Sequence, residues 1–164
     1  MINKIFFLII SLIILCNTAV AETFVFETKN IEILKEKNQI LAGKGKAISS
    51  DKDLEINADK FEYLKDLDLL KTNGNGKVFK RSKNLIIEFE SAIFDQKNSL
   101  INADGNIRIK LVDKNFTIET EKILYSQSND LIKSETKTVL RDNLKNTYTV
   151  DSFKFEIDKN LLKV

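Results

Sequence analysis

Catalysis needs side chains that titrate, ligate or attack, and this chain is short of them. Histidine is absent, and the one cysteine is Cys16. That removes a histidine base, a histidine-ligated metal and, once Cys16 leaves with the leader described below, a thiolate nucleophile or zinc ligand. Two acidic pairs remain. Glu119 and Glu121 would share one face of an extended strand, and so would Asp66 and Asp68 if their stretch is extended. Paired carboxylates serve glycoside hydrolysis. The ordinary alternative, preferred here, is the polar face of an amphipathic strand. Gly43-Lys44-Gly45-Lys46 has the composition of a phosphate loop but neither its Lys-Ser/Thr ending nor its strand-to-helix frame. The expectation is a protein that is not an enzyme, with no catalytic residue, metal or cofactor.

The remaining candidates are apolar. Ile56, Phe61, Tyr63, Ile87, Phe89, Phe94, Ile107, Ile109, Phe116, Ile118, Ile123 and Tyr125 form a recurrent set. They read either as plain core packing or as the lining of an apolar groove that holds acyl chains. Their spacing is regular. Ile56, Ile87 and Ile118 are 31 residues apart, as are Phe61, Ala92 and Ile123; Tyr63, Phe94 and Tyr125; Leu54, Leu85 and Phe116; and Gly43, Gly74 and Gly105. The fourth glycine position holds Thr136, so the last copy is degenerate. A fixed period marks stacked units that bury their apolar faces only against one another.

The elements that carry these residues are strands. Alternation with period two recurs, as in Leu54-x-Ile56-x-Ala58, Ile107-x-Ile109-x-Leu111 and Phe153-x-Phe155-x-Ile157, separated by clusters such as Lys35-Glu36-Lys37-Asn38 and Asp95-Gln96-Lys97-Asn98. Strands with one buried face, joined by polar turns, are expected. Once per unit the alternation takes an odd step: Thr28 to Ile31, Ala58 to Phe61, Phe89 to Ala92, Thr120 to Ile123, and a fifth at Ser152 to Phe155. An odd step exchanges faces unless the strand bends there. Stacked bends predict two facing sheets, or a V-shaped groove with an apolar interior. The glycines fall 12 or 13 residues later, at a tight turn or a second corner where no Cβ fits.

Residues 1–21 read as a secretory signal peptide. Lys4 opens it, an apolar run follows from Ile5 to Leu15, and Ala19-Val20-Ala21 offers a cleavage site before Glu22. Leu15 stands where a lipobox before Cys16 would want a small residue, which speaks against lipidation; an uncleaved anchor is the other alternative. Proline is absent, and no composition shift divides residues 22–164, so one domain is expected. The 26 basic residues are scattered among 24 acidic ones rather than clustered, which gives no nucleic-acid face.

At these residues the chain resembles a known family. Ile56-x-Ala58-Asp59-x-Phe61-x-Tyr63, followed by an apolar pair and a Gly-Asn, is similar to the repeat of the organic-solvent-tolerance-A-like domain. Leu100-Ile101-x-Ala103-Asp104-Gly105-Asn106-Ile107 is similar to the second half of that motif, and the resemblance spans about residues 24–157. The family forms LptA and the periplasmic N-terminal part of LptD, which help carry lipopolysaccharide to the outer membrane. The resemblance implies an all-β fold, a β-jellyroll of stacked V-shaped repeats. It implies an interior, lined by the twelve residues named above, that accepts acyl chains. It implies lipopolysaccharide and other jellyroll proteins of the transport bridge as partners, docked by edge-strand pairing, with self-association as an option. The place implied is the periplasm, with outer-membrane association left open. The chain would be a stand-alone bridge protein or the front piece of a longer assembly protein; the stop at Leu161–Val164 within the pattern leans to the latter. Docking at the ends should be blocked by proline at Val150 or within 155–157, and within 24–27. The alternative is a secreted structural β-roll with a dry core and no cargo.

Overall fold

The structure is a computed structural model that describes residues 24–112 and 116–164. The leader and its cleavage site lie outside the described residues. Short strands come first: β1 (Phe24–Thr28), β2 (Ile31–Leu34), β3 (Gln39–Ala42), β4 (Gly45–Ser49), β5 (Leu54–Ala58) and β6 (Lys60–Leu64). Four long strands follow: β7 (Leu69–Lys80), β8 (Leu85–Asp95), β9 (Leu100–Leu111) and β10 (Phe116–Ser126). The chain then returns to short strands: β11 (Leu131–Ser134), β12 (Thr138–Arg141), β13 (Thr147–Val150), β14 (Phe153–Glu156) and β15 (Leu161–Lys163). Every pairing is antiparallel between neighbours in a folded sheet.

The pairing path divides into two arms that share the long strands. The first arm runs β1-β4-β5, through one half of β7 to β10, to β12-β13. The second runs β2-β3-β6, through the other half of the same strands, to β11-β14-β15. The expected all-β jellyroll of V-shaped layers is what is found.

The corner explains both sequence signals at once. On β8 the interior positions Phe89 and Ala92 are three residues apart. Opposite them the register pairs Asn73 with Ser91 and then Gly76 with Phe89, so β7 spends an extra residue at the bend. On β9 the interior step from Ala103 to Ile107 takes four residues and holds Gly105 and Asn106. Gly74 and Asn75 have φ of 79° and 48°, and Gly105 and Asn106 have φ of 82° and 46°. Two successive left-handed residues make the longer route around the bulge. The glycines therefore lie on the same corner as the odd steps, one strand over, and not on a second corner.

Two expectations are corrected. The fifth odd step falls at Val150 to Phe153, because Ser152 is exposed and outside any strand. The strand at 153–156 is not an edge, since β15 covers it. Among the described residues the edges are β1 and β13 on the first arm and β2 and β15 on the second, each with one partner.

At the outer ends of the arms, tight turns reverse the chain. Asn38, Asp68, Asn84, Ser99, Asp130 and Asn160 close them with positive φ. Asn and Asp tolerate this conformation well, which accounts for the polar clusters in the sequence.

Candidate functional site

The interior between the arms is the candidate site that the twelve residues line. Alternation turns Ile56, Ile87, Ile107, Ile109 and Ile118 inward from the first arm and Phe61, Tyr63, Phe94, Ile123 and Tyr125 inward from the second; Phe89 stands at the corner. All of these are buried, and Phe116 is half-buried against them. Aromatic contacts join the two arms directly. The Phe24 ring meets Tyr63 edge-on with centroids 5.7 Å apart, Phe26 meets Phe61 at 5.9 Å, and Phe116 meets Phe155 at 6.5 Å. Across the corner Phe89 lies 6.2 Å from Phe94. The interior is closed on its own side chains along its middle. A hollow of about 730 Å³ lies on the outward surface of the second arm, against Leu41, Glu62, Lys71 and Ile93.

The edges of the stack look different, and sequence reasoning did not single them out as site residues. Ile31 pairs with Ala42 and Ile33 with Ile40, so both share the inward face of those buried partners. Yet Ile31 and Ile33 are 52% and 56% exposed, because no strand lies beyond β2 among the described residues. At the other edge Tyr148 pairs with buried Leu140 and is 52% exposed, and Leu162 pairs with buried Phe155 and is only partly covered. The apolar interior thus reaches the surface at both edges of the stack. Alternation gave these residues a face; the missing signal was which strand would be outermost.

The mouth between the turn ends of the arms is polar. Tyr63 donates its hydroxyl to Asp68 at 2.8 Å, and Tyr125, two periods later, donates to Asp130 at 3.3 Å. Burial, with the Asp130 charge beside it, pushes the Tyr125 hydroxyl well above the usual phenol range. From the first arm, Lys83 reaches across to Asp130 at 2.8 Å and Asp158 at 2.5 Å. Those carboxylates hold the Lys83 ammonium above its ordinary pKa, and Lys83 holds Asp158 below its own. Lys52, Lys83, Lys114 and Lys145 stand 31 apart in the sequence, a signal that the period could have yielded.

Glu119 accepts from Arg141 at 2.5 Å and Arg108 at 2.8 Å on the outward face of the first arm, and these hydrogen bonds, with Arg141 dominant, hold its carboxyl below the usual range. Glu121 is exposed in the bulge between Thr120 and Lys122. Asp66 and Asp68 lie on a 3-10 turn at Lys65–Leu67 and its left-handed cap, not on an extended strand. Gly43-Lys44-Gly45-Lys46 joins β3 to β4 at the corner, where a Cβ on Gly45 would stand 2.3 Å from the Glu27 carbonyl oxygen. No group of three or more metal-ligating side chains occurs among the described residues. In the fourth unit, where Thr136 replaces glycine, Thr120, Ser134, Thr136 and Thr138 satisfy one another through hydroxyl contacts of 2.9–3.1 Å.

These features define a β-jellyroll fold of the LptA-like kind: antiparallel strands bent at one corner around an apolar interior. Among solved structures the chain is similar to LptH of Pseudomonas aeruginosa, described as the LptA homologous periplasmic component of the conserved lipopolysaccharide transport device. The TM-score is 0.56 at 10% sequence identity, over 68% of this chain and 80% of that one. At that identity the likeness is one of fold. No family model matches the chain. No curated protein matches it either.

Proposed function

We propose that the chain is a non-enzymatic lipid-transport module of the periplasm. It would bind lipopolysaccharide, shelter the acyl chains between its arms, and pass the lipid towards the outer membrane. The observation that carries this reading is the apolar interior itself, built from repeat-phased residues and uncovered at both edges of the stack by Ile31, Ile33, Tyr148 and Leu162. Each methylene moved from water into such an interior contributes about 0.8 kcal/mol. Sugars and phosphates would stay outside, at the polar mouth. The open edges β1, β2, β13 and β15 offer unpaired N–H and C=O groups to neighbouring jellyrolls or to a second copy. The leader at 1–21 would direct export, and the module would stand alone or head a longer assembly protein. The similarity to LptH supports the reading through the fold.

One observation favours a second reading. The middle of the interior is filled by its own side chains, as a structural β-roll with a dry core would be. A photoreactive residue separates the two. Placed at Phe61, Phe94, Ile118 or Ile123 it should crosslink lipopolysaccharide in cells, and at Lys60, Glu119 or Lys122 it should not. Equal labelling of both sets, or labelling of neither, would leave the dry roll as the better account.

A further inference from the structure

Lys83 links parts of the chain that the repeat does not bring together. It sits on the turn between β7 and β8, at the outer end of the first arm. Its carboxylate partners lie on the β10–β11 and β14–β15 turns of the second arm, 47 and 75 residues further on. The neighbouring cation, Lys80, is already neutralised within its own arm by Asp53 at 2.6 Å, and Asp53 also accepts from the Ser82 N–H at 2.7 Å. Lys83 is therefore the charge at this turn that spans the gap.

Resting on the transport reading, a geometric conflict follows. A lipid whose chains lie inside and whose headgroup lies outside must straddle the mouth. To move along the roll its neck has to pass the line joining Lys83 to Asp130 and Asp158. That line is closed at hydrogen-bond distance. The ion pairs must part for each molecule that passes.

We infer that Lys83, Asp130 and Asp158 form a gate across the mouth that a phosphate-bearing lipid headgroup opens by replacing the two carboxylates on Lys83. At the ammonium the exchange replaces one kind of anionic oxygen acceptor with another. A phosphate oxygen accepts from the ammonium as a carboxylate does, in a charge-assisted hydrogen bond. Asp158, with a side chain 64% exposed, turns to water at little cost. Asp130 keeps the Tyr125 hydroxyl as a donor. A neutral headgroup has no such exchange to offer and has to wait for the pairs to open unaided. The gate would thus select amphiphiles by headgroup charge, while the interior selects only for apolar chains.

The test uses the purified chain lacking residues 1–21 and two fluorescent amphiphiles of equal chain length, one with a phosphate head and one with a neutral sugar head. Stopped-flow mixing reads the rate of uptake. The unmodified protein should load the phosphate probe about tenfold faster, the scale of one charge-assisted hydrogen bond. In Lys83→Met the neutral probe should speed up and the lead of the phosphate probe should vanish. In Asp158→Asn, a milder surface change, the neutral probe should also speed up and the lead should shrink. A phosphate-to-neutral ratio unchanged in either folded variant overturns the gate. Equal loading of both probes by the unmodified protein overturns it too, while leaving transport standing. Uptake of neither probe by any variant overturns the transport reading itself.

Discussion

Gly76 offers a sharp test of the corner, because its constraint is purely steric. It pairs with Phe89 across β7 and β8, and the phenyl ring lies over the glycine. A Cβ at Gly76 would stand 2.0 Å from Phe89 Cε2 and 2.2 Å from Cδ2, where ordinary contact begins well beyond 3 Å. The ring has nowhere easy to go. Phe89 is 4% exposed and packs against Phe94, so turning it outward would strip it of burial. Overpacking of this kind costs about 1–3 kcal/mol, and the upper half of that range is expected for Gly76→Ala. Phe89→Ala alone should cost about 3–5 kcal/mol through the cavity it leaves. In the double variant the methyl added at position 76 enters that cavity, so the combined loss should fall short of the sum by at least about 1 kcal/mol. Gly43→Ala is the control, since its nearest neighbour would be 3.7 Å away, and a change within about 0.5 kcal/mol is expected. Urea unfolding followed by circular dichroism measures the parent and all four variants. A Gly76→Ala midpoint equal to that of the parent, or losses that simply add, would refute the steric account.

Three further outcomes are expected. Val150→Pro in β13 or Leu162→Pro in β15 should leave a folded chain that associates less in light scattering, whereas Phe155→Pro in the covered strand β14 should lose its β circular-dichroism signal; an edge variant that associates like the parent would speak against strand-edge docking. Acid should destabilise the roll: Lys159 and Lys163 hold the Glu156 carboxyl at about 2, and Arg141 and Arg108 hold Glu119 below its ordinary value of 4.5. Depressed folded-state values mean a contribution present above the unfolded value and lost as pH falls from about 4.5 towards 2, so the melting temperature should begin to drop below about pH 5; a melting temperature unchanged down to about pH 2.5 would contradict this. Protein recovered from the envelope should begin at Glu22 by mass spectrometry, and an intact Met1 would instead indicate a retained anchor.

Local pattern was enough for the fold class and the inward set. Alternation is a local property, and a side chain's face follows from the parity of its position in the strand, so Ile56, Phe61, Ile87, Phe94, Ile118 and Ile123 could be assigned inward without any knowledge of pairing. The odd steps carried more, because a bend needs an unusual local register, and four of them fall where the chain turns the corner: between β1 and β2, between β5 and β6, and within β8 and β10. The glycine positions were legible as special but not as belonging to that same corner; that depends on β7 and β9 lying beside β8.

What is covered was settled only when the strands packed. Ile31 and Ile56 obey the same alternation, yet one is half exposed and the other sealed, because β2 ends its arm and β5 lies between β4 and β7. The same reasoning moved the edge from 153–156 to β15. The bridge from Lys83 to Asp130 and Asp158 belongs to this second kind of fact. It exists because the bend and the packing of the two arms set one turn of the first opposite two turns of the second. A local period encodes which face a residue takes, but not which distant turn it will meet.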